Sequence, residues 1–291
     1  MGNALTTGAV QWAMMTSTRF MIAGALVTSA LTLGLGAATV PTQQVATGDD
    51  WCDDSRDQRG DERYTHCEVR DFTVPASGAT MSVDAQPNGG IAVEGSARQD
   101  IQVRARIQTS GRTPDEARAL ANRVEVVATA DRVQASGPEN LDSRESWSVS
   151  YRLSTPQQTP LNLRSSNGGI SIKGINSRVE FRTVNGGVSL SSVGGSIQGT
   201  TSNGGITVDL DGQTWQGQGL DVETANGGVK LSLPDGYSAH LEARTNNGGM
   251  NIDFPLTVEG RVGRSISTDI GSGGPTLRVR TSNGGVKISR K

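Results

Sequence analysis

Residues 167–211 read NGGISIKGI, NSRVEFRTV, NGGVSLSSV, GGSIQGTTS and NGGITVDLD, consecutive blocks of nine residues. The third and fifth residues after the first are apolar in most blocks: Ile170 and Ile172, Val179 and Phe181, Val188 and Leu190, Ile206 and Val208. The residue between them is polar, as at Ser171, Glu180, Ser189 and Thr207. Alternation with period two marks a strand with one face buried. The remaining residues of each block turn the chain. Asn-Gly-Gly opens alternate blocks and recurs along the chain at Asn88, Asn167, Asn185, Asn203, Asn226, Asn247 and Asn283.

A meander of Asn-Gly hairpins also uses such turns, but it does not require the same tripeptide at every second turn. A solenoid does, because like turns stack on like turns. The pattern therefore predicts an all-β fold, a β-solenoid (β-helix or β-roll-like) of about 18-residue coils, with two sheets facing across a thin core. Stacked coils place equivalent asparagines about 4.8 Å apart, close enough for ladders of side-chain amides. Asn tolerates left-handed backbone angles and Gly accepts them without steric cost, which is the expected reason for the tripeptide. Residues 158–291 allow about seven coils, a stack roughly 34 Å tall. The insertions DGQTWQGQ (211–218) and Pro234-Asp235-Gly236 are expected to bulge out as loops.

Composition agrees with a thin core. Glycine makes up 38 of 291 residues, aromatics only 4% and hydrophobic residues 34%. The glycines lack a Gly-X-Y period and Pro is only 10 residues, which excludes collagen. A net charge of −2 gives no electrostatic support for nucleic-acid binding.

Four segments follow. Residues 1–40 read as a signal peptide or N-terminal anchor. Arg19 precedes the uncharged run 20–40, with small residues Gly36 and Ala38 ahead of a cut near Thr39. A retained anchor would be the only contact with a membrane. Residues 41–70 form a polar loop holding Cys52 and Cys67, the only cysteines. An even count in an exported chain favours a disulfide over two free thiols, and closing that loop is worth roughly 3 kcal/mol. Residues 71–157 read as an irregular β region, the N-terminal part of the solenoid. They hold strands near 67–74, 81–83, 91–93, 101–107, 124–127, 132–135 and 147–153. Thr113-Pro114-Asp115-Glu116 starts one short helix, with Thr113 as N-cap and Glu116 completing a capping box. That helix is expected to cover the open end of the first coil. Residues 158–291 form the regular solenoid.

Recurrent N-G-G-(I/V)-x-(I/V/L) strands behind an export signal resemble the bacterial putative-adhesin family of unknown function. The resemblance covers about residues 68–291. It implies a short β-solenoid on or outside the cell envelope and offers no active-site residues to carry over. Localisation is expected to be periplasm, cell envelope or secreted.

The chemistry sought is mostly not found. His66 and His240 lack a recognisable nucleophile motif nearby and read as structural. GSGG at 271–274 and VGGS at 193–196 lack the lysine–hydroxyl pair of a phosphate loop and read as turns. The acidic stretch from Asp49 to Glu62 is interrupted by Arg56 and Arg59 and misses the EF-hand spacing, so it reads as a solvated loop and no metal is expected. Asp209, Asp211, Glu180, Asp221, Glu223 and Glu242 are the candidates for a sugar-cleaving carboxylate pair, but exposed strand positions carry charge anyway. No cofactor is implied.

The strands after Asn-Gly-Gly expose small polar residues, among them Ser171, Ser189 and Thr207. The alternate strands expose longer charged ones, among them Glu180, Arg278 and Arg280. A flat face of small polar residues suits an extended polymer or another protein, and it also keeps an exported sheet soluble. Trp215, in a predicted insertion, is either a ligand contact or part of the core. The reading is a non-catalytic, adhesin-like surface module with an unknown protein or polysaccharide partner at the cell surface. The alternatives are a carbohydrate-active β-helix enzyme and an envelope-stress or signalling accessory bound to a membrane partner.

Overall fold

The structure, a computed structural model, describes residues 42–46, 50–53, 63–253 and 263–291. Met1–Ala38 and Thr39–Lys291 are separate units. The expected signal or anchor over 1–40 and most of the acidic stretch lie outside the described residues.

The first half contains β1 (Thr42–Ala46), α1 (Asp50–Asp53), β2 (Tyr64–Pro75), β3 (Met81–Asp84), β4 (Ile91–Ser96), β5 (Asp100–Gly111), α2 (Pro114–Ala121), β6 (Glu125–Ala128), β7 (Arg132–Ser136) and β8 (Ser146–Pro156). The second contains β9 (Leu161–Arg164), β10 (Ile170–Lys173), β11 (Asn176–Asn185), β12 (Val188–Ser191), β13 (Gly194–Asn203), β14 (Ile206–Asp209), β15 (Gly217–Asn226) and β16 (Val229–Leu233). It ends with β17 (Ala239–Asn247), β18 (Met250–Asp253), β19 (Ser265–Ile270), β20 (Thr276–Asn283) and β21 (Val286–Arg290).

Two sheets face each other. One runs β1-β2-β5-β8-β4-β10-β12-β14-β16-β21-β18, the other β19-β17-β20-β15-β13-β11-β9-β3-β7-β6. Each Asn-Gly-Gly corner carries the chain from the second sheet into the first, so one strand from each makes a rung. In spatial order the rungs are β3/β4, β9/β10, β11/β12, β13/β14, β15/β16, β20/β21 and β17/β18. All seven are parallel and in register: Ile91, Ile170, Val188, Ile206, Val229, Val286 and Met250 form one row. The chain is a β-solenoid.

The winding departs from the expected one in two places. Residues 158–291 supply six rungs rather than seven, and the seventh is 81–96, from the half read as irregular. The C-terminal rung does not stack last. After β16 the chain lays down β17/β18 one place further on, returns through the antiparallel strand β19, and fills the gap with β20/β21. Lys291 fastens this rung. Its backbone N–H donates to the Leu233 carbonyl (2.9 Å), and its ammonium reaches Asp209 (2.7 Å) and Asp211 (2.5 Å).

The corners explain the tripeptide, and the reason differs from the expected one. None of the Asn-Gly-Gly glycines has a positive φ. A Cβ on Gly168, Gly186, Gly204, Gly227 or Gly284 would instead lie 2.1–2.2 Å from the carbonyl oxygen of the corner glycine one rung before. Only glycine lets the backbones approach so closely. The same carbonyls receive a hydroxyl. Thr183, Thr201, Thr224, Thr281 and Thr245 donate to the oxygens of Gly168, Gly186, Gly204, Gly227 and Gly284 at 2.7–3.0 Å. Ser165 does so to Gly89 at 2.7 Å. Each hydroxyl residue lies two positions before its asparagine and is buried. The working motif is therefore (Ser/Thr)-x-Asn-Gly-Gly. A buried hydroxyl left without a partner costs about 1–3 kcal/mol, so this bond is needed for the corner to be buried.

Between the sheets the core is filled by Val, Ile and Leu, each worth about 1.5–3 kcal/mol when buried. Phe181 is one of the few aromatic residues among them. Its register partner is Gly199, where a Cβ would lie 2.3 Å from the ring. The polar block GGSIQGTTS thus keeps its place by making room for a neighbour's aromatic ring.

The two insertions are exposed loops for most of their length, as at Gln213 and Asp235, but each turns an aromatic residue inward. Trp215 and Tyr237 are only 3% and 1% exposed, with Leu210 and Leu233 buried beside them in the main core. The insertions also bind each other, Ser238 N–H to the Gln213 carbonyl at 2.7 Å. Apolar residues within polar insertions have reason to turn inward, and Trp215 can do so because its indole N–H finds the Gly195 carbonyl at 3.0 Å.

Helix α2 has the expected boundaries and cap. Thr113 accepts from the Glu116 N–H, and Glu116 accepts from the Arg112 N–H. Its place differs from the expected one, since it packs on β2 and β5 rather than on the first rung. Beyond that rung the first sheet continues for four strands and the second for only two, which leaves inner surface for a helix to cover. Arg70, paired with Glu68 at 2.6 Å, donates to the carbonyls of Ala121 (3.0 Å) and Val124 (2.6 Å), where the helix dipole favours a cation.

The corner mechanism gives a paired prediction. Gly204→Ala should lower unfolding free energy by about 1–3 kcal/mol, as overpacking does. Gly249→Ala, where an added Cβ meets nothing within 4 Å, should stay within about 0.5 kcal/mol of the parent. Urea denaturation of both variants measures the difference.

Candidate functional site

In-register stacking lines up the outward residues of the first sheet. Along one row stand Arg152, Ala92, Ser171, Ser189, Thr207, Lys230, Lys287 and Asn251. Small side chains in the middle leave a groove of about 530 Å³ over four rungs, floored by Ala92, Ser171, Ser189 and Thr207. Cations stand at both ends, Arg106 and Arg152 at one and Lys230 and Lys287 beyond the other.

The first end is built by the disulfide. Cys52 and Cys67 are bonded, which ties α1 to β2. Trp51, Cys52 and Val69 form a separate small cluster on the outer side of the sheet. Trp51 is 7% exposed because two arginines cover it: the Arg152 guanidinium lies 3.9 Å from the ring centroid and that of Arg106 5.0 Å. Arg106 also donates to the Trp51 carbonyl at 3.0 Å. Cation–π contacts thus fix the arginines at the groove's end. Trp215, the sequence candidate for ligand contact, lies in the core and offers no surface to a ligand.

The seven asparagines form a ladder along one corner. In the order Asn88, Asn167, Asn185, Asn203, Asn226, Asn283, Asn247, each side-chain amide N–H donates to the amide oxygen of the asparagine before it at 2.8–2.9 Å. The order repeats the intercalation of the last rung. The ladder is exposed, and its amides are occupied with one another.

The outer face of the second sheet carries a charge lattice. Arg278 bridges Glu242 (2.5 Å) and Asp221 (3.4 Å), and Arg280 bridges Asp221 (3.0 Å) and Glu223 (3.1 Å). Glu180 pairs with Arg178, and Asp209 and Asp211 with Lys291. All six candidate carboxylates are therefore salt-bridged. The bond from Arg278 holds the Glu242 carboxyl below its usual range, and the bonds from Lys291 and Ser192 do the same for Asp211. Glu242 and Asp211 are thereby held in the ionised form, unlike the proton donor a glycosidase needs.

His66 Nε2 lies 3.4 Å from Glu68. His240 lies on β17. Its ring stands between Asp269 and Ser267, both from β19. Periodicity gave no sign of this, because β19 pairs antiparallel and follows no Asn-Gly-Gly corner. Among the described residues no group of three or more His, Cys, Asp or Glu side chains is placed to hold a metal ion, and no helix is long and apolar enough to cross a membrane.

The depressed carboxyls fix the sign of a pH effect. A group whose folded pKa lies below its unfolded value contributes stability above the unfolded pKa and loses it as pH falls through the folded one. Resistance to thermal unfolding should therefore weaken as pH falls through the acid range. The slope should be shallower in a Glu242→Gln, Asp211→Asn double variant, and a parallel loss in both proteins would contradict this assignment.

A scan against family models matches residues 124–289 to the Toastrack DUF4097 model. No curated protein matches the sequence. Solved structures similar to this chain include three of bacterial origin. A "putative cell adhesion protein" from Clostridium sporogenes is 13% identical, with a TM-score of 0.39, over 79% of this chain and 100% of that one. A "putative adhesin" from Bacteroides fragilis is 13% identical, with a TM-score of 0.34, over 78% and 97%. A "putative lipid binding protein" from Parabacteroides distasonis is 11% identical, with a TM-score of 0.32, over 77% and 96%. With the family model spanning more than half of its length, the chain belongs to the Toastrack DUF4097 family.

Proposed function

We propose that the protein is an exported, adhesin-like module of the cell envelope that works by binding, and that its ligand is an extended acidic polysaccharide laid across the rungs of the first sheet. The row from Arg152 to Lys287 carries this reading. Its neutral, small-residue middle leaves room for a chain of sugar rings, and its cationic ends would hold carboxylates or sulfates. Lys230 and Lys287 are register partners with no carboxylate bonded to them among the described residues, so both ammonium groups are open to a ligand. The disulfide supports an oxidising, extracytoplasmic compartment. A rigid floor favours the same site, because a preformed groove costs little ordering on binding.

The test is calorimetric titration of the full chain with acidic and neutral polysaccharides. An acidic polymer should bind, and more weakly as salt rises. Ser189→Trp, which fills the groove, should abolish binding, and a Lys230→Glu, Lys287→Glu variant should weaken it at least tenfold. Equal binding of neutral polymers, or unchanged binding by Ser189→Trp, would remove the groove from consideration.

A further inference from the structure

On the opposite face, at the far end of the stack, Ser267, His240 and Asp269 stand in hydrogen-bonding order. His240 Nδ1 lies 2.6 Å from Asp269 Oδ1, and His240 Nε2 lies 3.2 Å from Ser267 Oγ. In the tautomer whose Nδ1–H donates to Asp269, Nε2 keeps its lone pair to accept from the serine hydroxyl; Glu242 Oε1 lies 3.8 Å from the same nitrogen. A nucleophile, a base and a group that orients the base are thus in sequence. We propose that these three residues form a serine-nucleophile site that hydrolyses carboxylic esters carrying an anionic group. It is independent of the groove on the first sheet.

The strand pairing explains the arrangement. Thr245 N–H donates to the Arg264 carbonyl, and His240 N–H donates to the Pro275 carbonyl on the side of β20. By antiparallel alternation, His240↔Asp269 and Glu242↔Ser267 are then the non-hydrogen-bonded pairs, whose side chains stand closest. The same alternation turns the Ser267 N–H away from β17. Strand β19 ends its sheet, and among the described residues no strand lies beyond it. That N–H is placed as a donor to an oxyanion forming beside the Ser267 hydroxyl. Ser267 is exposed and the His240 side chain is 32% exposed, so a substrate can reach both.

Substrate class follows from the adjoining cleft. It holds about 340 Å³ and is lined by Ser267, Ser265, Glu242, Arg244, Arg278 and Arg280. Arg278 and Arg280 are engaged by carboxylates, whereas Arg244 is exposed with no carboxylate partner among the described residues. A guanidinium beside the nucleophile selects an ester with a carboxylate or phosphate on its acyl part.

The chemistry balances without a cofactor. Ser267 Oγ bonds to the ester carbonyl carbon as its proton passes to His240 Nε2, and the carbonyl electron pair moves onto oxygen. Collapse of this intermediate breaks the C–O bond to the alcohol, which takes the proton from Nε2 and leaves an acyl-serine. Water repeats the sequence, releasing the carboxylic acid and restoring the hydroxyl.

The test treats the full chain with a fluorophosphonate probe and maps the label by peptide mass spectrometry. Label is expected at Ser267, absent in Ser267→Ala, reduced about 100-fold in His240→Ala and unchanged in Ser272→Ala, an exposed serine outside the cleft. Circular dichroism checks that each variant is folded. Mono-p-nitrophenyl succinate should be hydrolysed faster than p-nitrophenyl acetate, with the preference lost in Arg244→Ala. No label at Ser267, label at Ser267 undiminished by His240→Ala, or ester hydrolysis no faster than in buffer would each overturn the proposal.

Discussion

Everything in this molecule depends on how closely two corner backbones approach. With a Cβ absent at the first glycine of each Asn-Gly-Gly, a carbonyl oxygen of one rung sits where a side chain of the next would be. That oxygen accepts a buried hydroxyl from the (Ser/Thr)-x-Asn-Gly-Gly segment of the next rung. Close approach and satisfied polarity are one device. Neither works alone, because a close corner without the hydroxyl leaves a buried acceptor, and a hydroxyl without the glycine cannot reach it.

Register follows from that device, and the surfaces follow from register. A corner that fits in one way allows no slip, so the rows of side chains next to it cross the stack as straight lines, and the register shift between β13 and β15 falls at Gly195/Ser196, away from the corner. Small residues in one row make a groove, and alternating charges in another make a lattice. The same corners allow the last rung to enter between two others. An Asn-Gly-Gly corner is complementary to any other above or below it, so stacking order need not follow chain order. What selects this order lies outside the repeat, in the antiparallel return of β19 and the anchoring of Lys291 on Asp209 and Asp211.

The repeat made the architecture legible. Apolar pairs such as Ile170/Ile172 and Val188/Leu190 declared their inward faces, and the asparagine spacing declared the ladder. Four things are not legible there. The glycines read as turn formers, because composition does not distinguish positive φ from close approach. The hydroxyl residues two places ahead of six of the seven asparagines share the spacing of the tripeptide and are masked by its stronger signal. Trp215 and Tyr237 sat in stretches that local polarity marks as loops, and their burial depends on a carbonyl at Gly195 and on contact between two insertions. The site around His240 was hidden for the same reason, since Ser267 and Asp269 reach it through long-range antiparallel pairing. Local periodicity reveals rungs, and pairings that break the period stay hidden in it.

The intercalated stack can be tested by cysteine pairing under mild oxidation, with the native disulfide left in place. Lys230 and Lys287 are neighbours across one strand spacing, whereas Lys230 and Asn251 are two spacings apart, or about 5 Å against about 10 Å. A disulfide spans only the shorter distance. The Lys230→Cys, Lys287→Cys pair should crosslink readily, and the Lys230→Cys, Asn251→Cys pair should stay reduced. The reverse result would mean that the rungs stack in chain order and would contradict the structure described above.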